Sequence, residues 1–129
     1  MKTGIQRITE ELERQRAKGY SEDHDDGHDL GELTEAALCY GCVAGAEARG
    51  SSAEEWPAHM FDGHCDSILQ WPWDEESWKP SDDPIINLAK AGALIAAEID
   101  RLERKKEWEA QHAIDKANEK ADDCDVPFE

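Results

Sequence analysis

Apolar residues return at helical intervals in three separated stretches of this chain, and no stretch alternates as a strand would. The first stripe is Ile5, Ile8 and Leu12. Thr3 and Gln6 have the spacing of a capping box, and Gly19 stops the run. The other faces carry Glu10, Glu11, Glu13, Arg14, Arg16 and Lys18, so one narrow stripe is left to dock on the rest. Residues 20–29 are polar and unpatterned and are predicted as a loop. Asp29, with Glu32 three residues on, predicts a cap that opens a second helix over 30–48. That helix is rich in Ala36, Ala37, Gly41, Ala44, Gly45 and Ala48. A helical glycine costs about 1 kcal/mol relative to alanine, so its presence predicts close approach of a neighbouring backbone, that of the third helix. Pro84 stands where a first helical residue belongs, with Asp83 as its cap. Beyond it Ile85, Leu88, Gly92, Ile95, Ile99 and Leu102 repeat at three and four, which predicts a core stripe.

The expected fold is therefore all-α, with three main helices and a long ordered Trp-rich loop between the second and third. Residues 1–104 read as a single helical domain. Residues 105–121 read as a charged helical extension in which Trp108 and Ile114 are the only large apolar residues, and 122–129 as an acidic tail. The extension either frays or packs on another subunit, which leaves a homo-oligomer open. Within the 49–83 connection, Trp71, Trp73 and Trp78 fall inside eight residues and are interleaved with Pro72 and Pro80. Such a cluster cannot be an amphipathic helix; it covers a core, walls a pocket or forms a contact surface. Trp56, Met60, Phe61, Ile68 and Leu69 argue that the connection is packed.

Charge narrows the function classes. The 129 residues carry 31 acidic against 14 basic side chains, a formal charge of −17. That excess argues against direct binding of a nucleic-acid backbone, which needs a basic footprint. It suits a chain that meets a basic host protein or imitates a polyanion. No apolar run approaches the roughly 20 residues of a membrane helix, so no membrane partner is expected. The first residues lack the apolar core of a secretory signal, and Cys39, Cys42, Cys65 and Cys124 read as reduced thiols of a cytoplasm.

Five groups of residues could carry chemistry. His24, Asp25, Asp26, His28 and Glu32 combine imidazole and carboxylate donors that suit a divalent metal (Mg, Mn or Zn), or else cap the helix that follows. Glu32 and Glu35 share a helix face, and Glu98 lies on the helix expected to pack beside it. Cys39 and Cys42, with His59, His64 and Cys65 downstream, have a zinc-knuckle spacing but sit in a small-residue helix, where buried thiols are the alternative. Trp71, Trp73 and Trp78 could stack a nucleobase while Lys79 and Lys90 neutralise phosphate, with Glu98 nearby, or they simply cover the core. The tail Asp122, Asp123, Asp125, Val126, Pro127 and Phe128 offers an apolar tip among acids to a partner with a basic-rimmed pocket. No nucleophile triad, phosphate-cradling glycine loop or dinucleotide fingerprint is present.

Three resemblances follow from these residues. His24-Asp25-Asp26-Gly27-His28, Gly31-Glu32-Leu33, Trp71-Pro72-Trp73-Asp74, Trp78-Lys79-Pro80 and the helix over 90–102 together resemble a family of small phage and prophage proteins, over roughly residues 7–104. The chain departs from that pattern at Ser77, where a further tryptophan is usual, and at Asp82-Asp83-Pro84, which replaces an arginine-rich stretch. The resemblance implies a phage accessory protein and no particular chemistry. Glu32, Glu35 and Glu98 resemble more weakly the carboxylates of all-α nucleoside triphosphate pyrophosphohydrolases of the MazG-like group, whose second E-x-x-D half is missing here because Arg101 follows Glu98 at that spacing. The tail resembles the acidic Pro-Phe tip of bacterial single-stranded-DNA-binding proteins, except that Glu129 follows Phe128. The leading expectation is a protein that binds a host factor or a nucleotide-like ligand without catalysis. The alternatives are a metal-dependent nucleotide hydrolase and a structural or oligomeric module.

Overall fold

The computed structural model describes residues 1–61 and 69–124, with 120–124 as backbone only. The fold is all-α: α1 is Gly4–Ala17, α2 is Glu22–Asp26, α3 is Glu32–Ala48 and α4 is Pro84–Cys124. The chain divides into two compact units, Met1–Glu98 and Ile99–Glu129.

The helix ends follow from local chemistry. The Thr3 hydroxyl accepts from the Gln6 N–H while the Gln6 side chain accepts from the Thr3 N–H, completing the capping box of α1. Gly19, at φ +103°, lets the chain turn out of the helix. The predicted 20–29 loop contains a helical turn instead. Ser21 caps α2 through the His24 N–H, and Arg16 Nη1 bonds both the Tyr20 carbonyl and the buried Asp25 carboxylate, each at 2.7 Å. That long-range pair is invisible to a reading by periodicity. Asp29 does not cap α3. The N-cap is Gly31, at φ +86°, with no side-chain bond, and Glu32 itself bends back to accept from the Leu30 N–H at 2.6 Å. At α4 the Asp83 carboxylate accepts from the Ile85 N–H at 2.9 Å, directly beside Pro84.

Helices α3 and α4 pair antiparallel through polar contacts near the ends of their shared length. Asn87 donates to Glu47 at 2.6 Å near one end, and Thr34 donates to Glu98 at 3.3 Å near the other. Asn87, fully buried, also bonds Ser81 N–H and C=O and so anchors the chain entering α4. Between these contacts the buried core takes Ala36, Ala37 and Val43 from α3 and Ala91, Leu94 and Ala97 from α4, four of the six being alanines. This overturns the expected core stripe. Ile85, Leu88, Ile95, Ile99 and Leu102 are each about half exposed, at 48–55%. Helix α4 buries its alanine-rich face because alanines let two helices approach closely, whereas a row of isoleucines would hold them apart.

The glycines are also placed differently from expectation. A Cβ at Gly41 would meet nothing within 4 Å and one at Gly45 only the end of the Arg49 side chain, so neither serves a close backbone approach. The close approach is at Gly92, where a Cβ would come within 2.5 Å of Ile8 on α1.

In the described parts of the connection between α3 and α4, Trp56, Phe61, Leu69 and the three clustered tryptophans pack as expected, Met60 is exposed, and Ile68 lies outside the described residues. Trp71 and Trp78 are buried, each indole N–H is satisfied by a backbone carbonyl (Asp74 at 2.9 Å, Trp56 at 2.7 Å), and the Trp71 N–H bonds the Phe61 carbonyl. In the second unit the helix carries exposed Trp108, stacked on His112 at 3.5 Å, and exposed Ile114.

The two kinds of glycine have opposite expected outcomes. Gly41→Ala should stabilise the protein by about 0.5–1 kcal/mol in urea unfolding, since the methyl enters open space in a helix interior. Gly92→Ala should destabilise it by about 1–3 kcal/mol through overpacking, and Ile8→Ala in the same chain should recover part of that loss. Equal effects at the two glycines would contradict the packing described.

Candidate functional site

Within the first unit a pocket of about 450 Å³ opens between α1, α2, the start of α3, the Trp loop and the first half of α4. One side is a continuous run of aromatic rings. Tyr20 meets His24 at 5.2 Å, His24 meets His28 at 4.9 Å, His28 meets Trp73 at 5.0 Å, Trp73 meets Trp71 at 5.4 Å, and Trp71 meets Tyr40 at 5.7 Å. All six line the pocket. The run exists because α2 presents His24 at its last turn, while the buried Trp71 carries Trp73 to the pocket edge.

The cations complete it. Arg14 and Lys18 project from one face of α1, Lys79 comes from the Trp loop and Lys90 from α4. The lining thus holds four of the 14 basic residues but only three of the 31 acids, Glu11, Asp25 and Asp74, so its local balance is the reverse of the chain's. Lys90 is half-buried, donates to the Lys79 carbonyl at 2.7 Å and lies 5.4 Å from the centre of the Tyr40 ring. Burial pulls its ammonium pKa down, Glu11 opposes that, and Arg14, Lys18 and Lys79 add to it by repulsion. Glu11 is held by Arg14, 2.8 Å from Nε. Burial alone would raise the Glu11 carboxyl, but the Arg14 and Gln15 bonds and the Lys90 charge outweigh it and hold the group below its usual range.

His28 and Glu32 form a further pair, with Nδ1 3.3 Å from Oε2. Burial opposes ionisation of Glu32, yet the backbone N–H groups of Glu32 and Leu30, together with His28, lower its pKa. The His28 Nε2 and the Trp73 Nε1 are both buried without a hydrogen-bond partner among the described residues. An unmet buried polar group costs about 1–3 kcal/mol, and the expense sits where the two rings meet at the pocket.

Among the expected ligand-binding residues, Trp71, Trp73, Lys79 and Lys90 line this pocket. Trp78 does not. It is buried against Tyr40, Phe61 and Trp71 and belongs to the core. Glu98 also lies outside the lining, buried on α4 beside Thr34. The five candidate metal ligands are not gathered into one centre: Asp25 is turned to Arg16, Glu32 to Leu30 and His28, His24 faces aromatic rings, and Asp26 is outside the lining. Among the described residues no three His, Cys, Asp or Glu side chains come together as a metal site requires.

Cys39 is buried, and burial, then the Cys42 and Glu35 charges, push its thiol up to about 12, which favours a packed thiol over a thiolate ligand. His64 and Cys65 lie outside the described residues. Of the tail, Asp122 and Asp123 fall on the backbone-only end of α4, while Asp125, Val126, Pro127 and Phe128 lie outside the described residues.

Sequence reasoning missed Glu11, Arg14, Lys18, Tyr20 and Tyr40. The 11-14-18 spacing does mark one helix face, but only the fold shows that this face looks into a pocket. None of the family models, curated proteins or solved structures compared with the chain matches it.

The Glu11 environment has a pH signature. Its folded pKa is depressed, so its contribution to stability is full above the ordinary glutamate value of about 4.3 and is lost as pH falls through the lower folded value. Urea midpoints measured from pH 3 to 7 should therefore fall less steeply on the acid side in Glu11→Gln than in the native chain. Superimposable profiles would contradict the assignment.

Proposed function

We propose that this protein binds a nucleotide-like small molecule in the pocket, with an aromatic base on the Trp73 side and phosphate among the lysines. The observation that carries the reading is the joining, in one pocket of about 450 Å³, of a six-ring wall and four cations in a chain of charge −17. That volume falls in the range of small-molecule sites. An apolar ligand would not need the cations, and a simple anion would not need the rings.

Binding is favoured over catalysis because three of the lining's candidate proton acceptors are engaged, Glu11 with Arg14, Asp25 with Arg16 outside the lining, and His28 with Glu32. A general base needs a group free to take a proton from its substrate. The resemblance to small phage proteins supports a setting in which sequestering a host nucleotide is useful, with the chain acting as an accessory factor.

Calorimetry of the full chain against nucleotides, nucleosides and inorganic phosphate tests this. Nucleotides should bind, each half alone should bind more weakly, and Trp73→Ala should lose about 1–3 kcal/mol of stacking. Absence of heat with every nucleotide, or equal binding of nucleoside and nucleotide, would overturn the reading.

A further inference from the structure

The cationic end of the pocket has a definite charge to offer. Arg14 is held by Glu11, and Asp25 is held by Arg16, which lies outside the lining, so these pairs cancel. Lys18, Lys79 and Lys90 then remain against Asp74 in the lining and against Glu32, which stands outside it beside His28, a surplus of one positive charge. A phosphate monoester, at about −1.5 to −2 near neutral pH, comes closest of the nucleotide phosphates to balancing this surplus. Further phosphates would place uncompensated negative charge in a chain that already has 31 acids.

Lys90 is within electrostatic reach of Arg14, Lys18 and Lys79. An ammonium has three N–H donors, and here one hydrogen bond, to the Lys79 carbonyl, is made among the described residues. The Tyr40 ring covers another side of it. Lys90 is therefore an oriented donor whose stem is fixed in α4 and whose like-charged neighbours are relieved by an arriving anion.

Resting on the nucleotide reading, we infer that the pocket selects a single phosphate monoester, a nucleoside monophosphate, over the corresponding di- and triphosphates, and that Lys90 seats its dianion. The base end is open to the aromatic run and sets no charge requirement. The phosphate count is set at the lysine end.

The test is competition calorimetry of the full chain at fixed ionic strength with a chelator present, comparing the mono-, di- and triphosphates of one nucleoside with the nucleoside itself. The monophosphate should bind about tenfold tighter than the triphosphate, and Lys90→Gln should weaken the monophosphate by about tenfold while leaving the nucleoside unchanged. Lys90→Arg should restore part of the loss. Lys79→Gln, at an exposed position, gives a second readout in the same direction if Lys90→Gln proves unstable. Equal or tighter triphosphate binding, or indifference of the monophosphate to both lysine variants, would overturn the selection and leave nucleotide binding standing. Failure of every nucleotide to bind would overturn both.

Discussion

The packing of two buried indoles on Tyr40 is the contact on which the first unit turns. Trp71 and Trp78 lie 5.7 and 4.7 Å from the Tyr40 ring and 4.7 Å from each other. An aromatic side chain buries about 150–250 Å², and at about 25 cal/mol per Å² that is several kcal/mol for each ring. Neither indole could be buried with its N–H unmet, and the loop supplies both acceptors from its own backbone, at Asp74 and Trp56. The irregular path of the chain from 69 to 83 is thus the path that brings the Asp74 carbonyl to Trp71 and carries Trp78 to the Trp56 carbonyl. Tyr40 belongs to α3, so the same contact fastens the loop to the helix pair and brings the Lys79 N–H to the Tyr40 hydroxyl at 3.4 Å.

Site and fold share these residues. Once Trp71 is seated, Trp73 two residues later is carried to the pocket against His28, and Lys79 next to Trp78 comes within reach of Lys90. The tryptophans divide by role: Trp78 is core, Trp73 is wall, and Trp71 is both. The charge distribution follows a similar logic. A chain this acidic repels anions at a distance, but screening over about 8 Å lets the lysines that line the pocket present a field of their own. Glu11 keeps Arg14 in place without cancelling Lys18, Lys79 and Lys90, so the pocket holds positive charge that the surface lacks.

Much of the fold was legible where local chemistry decides it. Thr3 with Gln6 and Asp83 with Pro84 mark helix starts through bonds made within three residues, and the alanines of α3, though not its glycines, announce a tight helix pair. The legible part ended where distant residues decide. The Ile85, Leu88, Ile95, Ile99 and Leu102 stripe has the period of a buried face, but alanines on the adjacent faces allow closer approach and take the core. Asp29 has the right spacing for a cap, yet Gly31 in a left-handed conformation begins α3 instead. In the site, Trp71, Trp73, Lys79 and Lys90 could be named from clustering and charge. Arg14, Lys18, Tyr20 and Tyr40 could not, because each reaches the pocket from an element whose orientation depends on Arg16–Asp25, Ile8 against Gly92, or the Tyr40 packing. The histidine and carboxylate cluster suggested a metal because residue types alone do not show that Asp25 is turned to Arg16.

Nuclear magnetic resonance of the five tryptophan indole N–H groups during titration with a nucleoside monophosphate measures the central claim directly. The Trp73 signal should move most and Trp71 less. Trp78, bonded to the Trp56 carbonyl, should move little, and exposed Trp108 should stay in place. A titration in which Trp73 is unmoved while Trp108 shifts, or in which all five stay fixed at millimolar ligand, would contradict the account.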